Sequence, residues 1–333
     1  MRNPISLEEL QQVTHLNVSA IGDRTVNLMP LWDGKEWHSW ISVNGKIIKM
    51  KMMGVVEGRY LAKNVEHKSD LFMPFVDLMW QRTSWPEIVP LISAIEDDFS
   101  KMSTSIAKLK HTFQTQKQLS SGSSRAFAET ELEYLLVLCR TVFDLLQELI
   151  ARIWDKRVCL NDPRAESVRK QRKMPDTFSK LCLKEKTVVR SSEELQTLYA
   201  LPKEMADEYV RAAPFFSQLR NLRNGIVHGG RGLDLIFVTE RGFCVGKDSP
   251  LLVAIPCEFG YKYNDNLVSI LPWLCSLILK TMGTCTSLVG AFASVVPLPD
   301  EMAPGYRVFV REPNNDALSE ILAINQGGSP WWG

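Results

Sequence analysis

Hydrophobic positions along the chain follow two rhythms, and the change between them falls near residue 84. In residues 1–83, the segments Trp37-His38-Ser39-Trp40-Ile41-Ser42-Val43 and Lys46-Ile47-Ile48-Lys49-Met50-Lys51-Met52 flank Asn44-Gly45. Asn-Gly supplies the two positive-φ positions of a type I′ turn, so a hairpin is predicted there, with tryptophans 32, 37 and 40 packing across its strands.

From Pro86 the period becomes helical. One helix is expected from Pro86 to about Gln118, closed by a small-residue linker, Ser120-Ser121-Gly122-Ser123-Ser124. The next, from about Phe127 to Trp154, repeats apolar residues at three and four (Leu132, Leu135, Leu136, Cys139, Phe143, Leu146), while Arg140, Asp144, Gln147, Glu148 and Ala151 form a narrow second stripe. Residues 155–200 are basic and broken, and read as a solvated connector with one or two short helices, since Phe178 alone interleaves their basic run.

A further helix is expected from Pro202 or Glu204 to His228, with Pro214 the place for a kink and Gly229-Gly230 the stop signal. Strands over Leu233 to Thr239 and Phe243 to Val245 follow as a hairpin around Glu240-Arg241-Gly242, and a last long helix over about Asn264 to Val295. The tail holds a strand over Tyr306 to Val310, a short helix near Ala317 to Asn325, and a glycine-rich end from Gly327 to Gly333. The expected division is a β-rich subdomain (1–83), an α-helical domain (84–298) with a hairpin insertion at about 233–246, and a strand/helix tail (299–333).

Composition narrows the function classes. With 45% hydrophobic and 23% charged residues, the chain has globular proportions. Its 39 Lys plus Arg balance 38 Asp plus Glu, so any contact with RNA has to be local, and nothing points to DNA specificity. Seven cysteines, odd in number and never spaced C-x-x-C, argue against a disulfide framework and a zinc site, and no metal or other cofactor is implied. The start MRNPISLEEL lacks the pattern of a secretory signal, which favours a cytoplasmic setting. Leu267 to Leu298 is apolar, but Lys280 and Thr281 to Ser287 interrupt it; it reads as a buried helix, with a membrane-associated effector as the alternative.

One segment carries recognisable chemistry. Gln218-Leu219-Arg220-Asn221-Leu222-Arg223-Asn224-Gly225-Ile226-Val227-His228 contains arginine, a polar residue, three further residues, then histidine, at the end of a helix and between two other long helices. In this it resembles the HEPN superfamily over roughly residues 86–296. The resemblance implies a mainly α, HEPN-like helical bundle, here with the β-rich N-terminal subdomain and a β-hairpin before the last core helix. It also implies metal-independent endoribonuclease activity leaving a 2′,3′-cyclic phosphate and a 5′-hydroxyl, a role in phage defence or a toxin or stress response, a homodimer with two motifs at one groove, and an antitoxin or partner effector. Subfamilies paired with a nucleotidyltransferase often place tyrosine two residues after the histidine; Gly230 stands there, which weakens a toxin regulated by adenylylation.

The residue types suit single-stranded or tRNA-like RNA. Histidine gives and takes a proton near neutral pH, so His228 is the candidate general acid/base. The planar fork of Arg223 matches a phosphate, and Asn224 would orient the 2′-hydroxyl or the imidazole. At about 100° per residue, Arg223 and His228 point about 140° apart, while Arg220, Asn224 and His228 share one stripe. Either Arg223 curls round, Gly225 distorts the turn, or a second copy contributes across a dimer. Arg140 and Asp144 are either a supporting pair for this site or a surface ion pair within one helix. The competing function class is a non-catalytic module that binds RNA or a nucleotide, or dimerises.

Overall fold

Asn44 and Gly45 adopt φ of 53° and 79°, the left-handed pair that a type I′ turn requires. The computed structural model of the chain describes residues 5–185, 187–228, 235–255 and 262–327, without the side chains of residues 226–228. Helix α1 (Leu7–Leu10) precedes β1 (Leu31–Trp32), β2 (Trp37–Val43), β3 (Lys46–Lys51), β4 (Gly58–Ala62) and β5 (Asp70–Leu71). In the hairpin, Ile41 pairs with Ile48 and Val43 with Lys46. Trp40 and Ile47 are buried on one face, and Ile41, Val43, Ile48 and Met50 are exposed on the other.

Then come α2 (Pro74–Arg82), α3 (Val89–Gln114), α4 (Ser121–Arg157), α5 (Pro163–Gln171), α6 (Phe178–Cys182), the short pair β6 (Leu183–Lys184) and β7 (Val188–Val189), α7 (Ser192–Tyr199) and α8 (Lys203–His228). They are followed by β8 (Phe237–Thr239), β9 (Gly242–Gly246), α9 (Pro250–Ala254), β10 (Leu267–Ser269), α10 (Leu271–Val295), β11 (Arg307–Arg311) and α11 (Asn315–Ala323).

The expectation of a mainly α bundle with an added β-rich subdomain is overturned. The described residues form a six-stranded mixed sheet, ordered β3-β2-β1-β4-β11-β5, together with a three-stranded and a two-stranded sheet. Strand β1 runs parallel to β4, whereas β11, near the other end of the chain, lies antiparallel between β4 and β5 (Val308 opposite Leu61, Val310 opposite Leu71). The physical reason is a clamp. Asp70 accepts from Tyr60 Oη at 2.5 Å and from Arg311 Nε at 2.6 Å, so one carboxylate with a wholly buried side chain ties together β4, β5 and β11. Helix α2 adds a second tie, Val308 N donating to Asp77 Oδ1 at 2.8 Å. The main buried core then runs from Leu10 to Ile324, and a smaller cluster of Val55, Tyr60, Ala62 and Phe309 packs apart from it.

Local signals account for the remaining differences. Ser120 closes no linker: its hydroxyl accepts from the Ser123 amide at 3.1 Å and caps α4, which starts at Ser121. The basic segment is packed; Arg169 is buried, donating to the Trp154 and Asp155 carbonyls and pairing with Glu166, and Ser191 with Glu194 forms a capping box on α7. The hairpin β8–β9 acquires a third strand, since Leu267 to Ser269 pairs along β9, so the following helix begins at Leu271. By length and composition α10 is apolar enough to cross a bilayer; it packs against α8, α4, α2 and α11. The expected Gly229-Gly230 stop, residues 233–234 of the hairpin and the last six residues of the glycine-rich end lie outside the described residues.

Candidate functional site

The motif's setting is the seam between α4 and α8. Aromatic rings fix it: Phe143 of α4 lies 5.8 Å from Phe216 and 5.9 Å from Phe215 of α8, centroid to centroid, and 5.3 Å from Phe178 of α6. Next to this cluster the seam turns polar. Arg140 Nη2 pairs with Asp144 Oδ2 at 2.9 Å, with both side chains three-quarters or more buried. The Phe178 amide donates to Asp144 Oδ1 at 3.2 Å.

Burial pushes the Asp144 carboxyl up from the ordinary aspartate value. Arg140, the Phe178 amide and the charge of Arg220 on α8 pull it back without cancelling that rise, to which Asp176 also adds. Arg140, Asp144 and Arg220 are therefore electrostatic neighbours brought together by helix packing, although 76 residues separate Asp144 from Arg220 (220 minus 144). Arg140 Nε is buried with no hydrogen-bond partner among the described residues.

Arg223 lies three residues beyond Arg220, about one turn along α8, and its Nη1 donates to Asn224 Oδ1 at 3.2 Å. The helix passes through Pro214 and Gly225 and continues to His228. Pro214 has no amide hydrogen to give the helix ladder, yet α8 is one element; Gly225 does not break its turn, which removes that route for bringing Arg223 and His228 together. The backbone of His228 closes α8, and its imidazole lies outside the described residues. The structure thus places Arg140, Asp144 and Arg220 around one seam and joins Arg223 to Asn224. Asp144 binds Arg140 and the Phe178 amide, so it supports the seam and fixes the α6 start as well.

Two cavities lie elsewhere. One, of about 460 Å³, is walled by residues 14–17, by Leu31, Asp33, His38 and Trp40, and by Pro304 and Tyr306; for its histidines, His15 and His38, the sequence offered no metal spacing and no role. The other, of about 640 Å³, lies between α3 and α4 beside Lys108, His111, Phe127 and Glu131. Among the described residues, neither is lined by a residue of the motif. The first had one signal in the sequence, an aspartate just before Gly34 and a strand beginning Trp37-His38. No protein-family model matches the chain, and neither a curated protein nor a solved structure is similar to it at a significant level.

Proposed function

We propose that the chain is a metal-independent endoribonuclease of HEPN type, acting at the C-terminal end of α8 on single-stranded or tRNA-like RNA in defence or stress. The observation that carries this reading is the arginine content of the α4–α8 seam: Arg140 and Arg220 both act on Asp144, with Arg223 one turn further along α8. The planar forks of guanidinium groups match phosphate oxygens, and a phosphodiester is the ligand that arginines gathered along one seam would suit.

In this mechanism Arg223 holds the non-bridging phosphate oxygens and stabilises the charge that grows in the transition state. Asn224, already hydrogen-bonded to Arg223, keeps that guanidinium aimed and orients the 2′-hydroxyl. His228 moves the proton, taking it from the 2′-hydroxyl or giving it to the departing 5′-oxygen. The 2′-oxygen attacks phosphorus, the bond to the 5′-oxygen breaks, and a 2′,3′-cyclic phosphate and a 5′-hydroxyl result. Two copies of the chain, facing each other at this end of α8, would supply the arginine and the histidine from different protomers, in keeping with their angular separation on a regular helix.

The test is cleavage of labelled single-stranded RNA and tRNA by the full-length protein in excess EDTA. Wild type is expected to cut and to leave a cyclic phosphate, and His228→Ala and Arg223→Ala to abolish cutting with their thermal stability nearly unchanged. Both variants cutting like wild type would disprove this site. Binding of RNA without cleavage by wild type would instead indicate a non-catalytic RNA-binding module.

A further inference from the structure

The cavity of about 460 Å³ beside the six-stranded sheet is a built site. Three segments distant in sequence make its walls, and they are locked together: the Asn17 amide donates to the Met302 carbonyl at 2.7 Å, and β1 and β2 pair at Leu31 and His38. Its volume falls within the range of ligand clefts, roughly 300–1,000 Å³.

Its polar groups are fixed before any ligand arrives. The amides of Lys35 and Glu36 both donate to Asp33 Oδ1 at 2.8 Å, an arrangement the turn permits because Gly34 sits at φ +98°. Those bonds, with His38 Nε2 at 2.6 Å from Asp33 Oδ2, hold the Asp33 carboxyl well below the usual carboxylate range, so it is an anion at neutral pH. In the same lining, His15 packs on the Trp40 ring at 4.8 Å and meets the edge of Tyr306 at 6.1 Å. Burial, with the charge of His38 adding to it, pushes the His15 imidazole down to about 4, which leaves it neutral near pH 7. A neutral imidazole has one donor and one acceptor nitrogen; with the proton on Nε2 the acceptor is His15 Nδ1, which is buried with no hydrogen-bond partner among the described residues.

The charge of the lining selects the ligand class. No lysine or arginine lines this cavity among the described residues; Lys63 lies over the Tyr306 ring, 5.7 Å from its centroid, and outside the lining. With His38 engaged by the Asp33 carboxylate at 2.6 Å, the lining meets a ligand with acceptors and ring faces rather than a cation, which disfavours phosphates and carboxylates. Such a lining favours a flat, uncharged or cationic molecule rich in N–H donors.

We propose that this cavity binds a small planar nitrogen heterocycle of nucleobase type, uncharged or singly cationic, which donates an N–H to His15 Nδ1 and a second to the Asp33–His38 pair. The site is separate from the α8 motif and does not depend on the ribonuclease reading. It fills a nitrogen that is buried without a hydrogen-bond partner among the described residues, in a cavity that also holds an ordered carboxylate.

Calorimetry on the full-length protein with adenine, cytosine, N6,N6,9-trimethyladenine (which has no N–H) and inorganic phosphate tests it. Adenine or cytosine is expected to bind with a dissociation constant below about 1 mM, and the trimethyl compound and phosphate to bind at least tenfold or so more weakly. His15→Phe, which keeps a ring against Trp40 and Tyr306 but removes the acceptor, is expected to weaken base binding by about tenfold or more while its thermal unfolding matches wild type. Failure of both bases to bind, equal binding of the trimethyl compound, or preference for phosphate would overturn the proposal. The wild-type comparison decides the matter even if His15→Phe does not fold.

Discussion

Arg140 Nη2 and Asp144 Oδ2 meet at 2.9 Å across one turn of α4, and the other oxygen of that carboxylate receives the Phe178 amide at 3.2 Å. Since the Asp144 carboxyl is raised in spite of both arginines, the ion pair does not fully recover the cost of burying the charge. Asp144→Asn keeps an acceptor for Phe178 and is expected to change stability by less than about 1 kcal/mol, whereas Asp144→Ala strands that amide and should cost about 1–3 kcal/mol. Urea denaturation at neutral pH separates the two. Equal losses would show that the charge, rather than the acceptor, holds the start of α6.

Asp77 and Asp70 anchor the same tail strand and are expected to respond to pH with opposite sign. Burial pushes Asp77 from an ordinary 3.8 up to about 6, the Val308 amide pulling it back and Glu301 pushing it further up. The folded chain therefore binds the proton more tightly than the unfolded chain, so stability falls as pH rises through 3.8 to about 6, by at most about 3 kcal/mol. Asp77→Asn keeps the acceptor for Val308 and should abolish this slope, leaving the variant more stable than wild type at pH 7. For Asp70, burial pushes up, but Arg311, Tyr60 and the His67 amide outweigh it and hold the carboxyl below its ordinary value. Its contribution is complete above that value and fades as pH falls beneath it. Thermal melts of wild type, Asp77→Asn and Asp70→Asn between pH 3 and pH 7 read both slopes; a wild-type slope unchanged in Asp77→Asn would refute the assignment.

Arg311→Met leaves a buried carboxylate under β11 without its cation and is expected to cost about 3–5 kcal/mol, read as a shift in the denaturant midpoint with the m-value unchanged. A loss below about 1 kcal/mol would mean that backbone pairing alone holds the tail strand in the sheet.

What the sequence shows and hides follows from the range of each interaction. The hairpin at Asn44-Gly45 and the long helices α4, α8 and α10 are legible because turn chemistry and a period of 3.6 act within a few residues. The six-stranded sheet is not, because β11 is placed by Asp70 and Asp77, partners 241 and 231 residues away. A serine-rich run reads equally as linker or helix cap, and only the Ser120 to Ser123 bond decides it. At the site, the motif residues are local and could be named; the neighbourhood of Asp144 and Arg220 arises from the packing of Phe143 on Phe215 and Phe216, which no spacing encodes. His15 and His38 were visible only as isolated histidines until the sheet brought them to one cavity.

Arg220 and Arg223 are expected to fail in different ways. Arg223 is assigned to charge that develops in the transition state, so Arg223→Ala should lose at least about 10²–10³ in kcat, enough to take cutting below detection, and Arg223→Lys should recover little of it, lacking the planar fork. Arg220 faces Asp144 and lies on the stripe of Asn224 and His228. Arg220→Ala should mainly raise KM and reduce the salt dependence of RNA binding by about 0.7 in logarithmic slope, the share of one phosphate contact on a single strand. Equal losses in kcat for both would remove the distinction.

The geometry of α8 gives the most direct test of a shared site. Arg223 and His228 diverge by about 140° on a helix that stays regular through Gly225, so one chain aims them at different places. If two copies build the site, Arg223→Ala and His228→Ala are each inactive alone but complementary together: in a mixed dimer, one of the two sites receives an intact arginine from one protomer and an intact histidine from the other. Co-refolding equal amounts should give half mixed dimers, each with one working site, and so restore about a quarter of wild-type cleavage. A site formed within a single chain allows no such rescue, because every chain in the mixture lacks one of its two groups. Restored cleavage that also falls on dilution, with dissociation of the dimer, would assign the arginine and the histidine to opposite protomers.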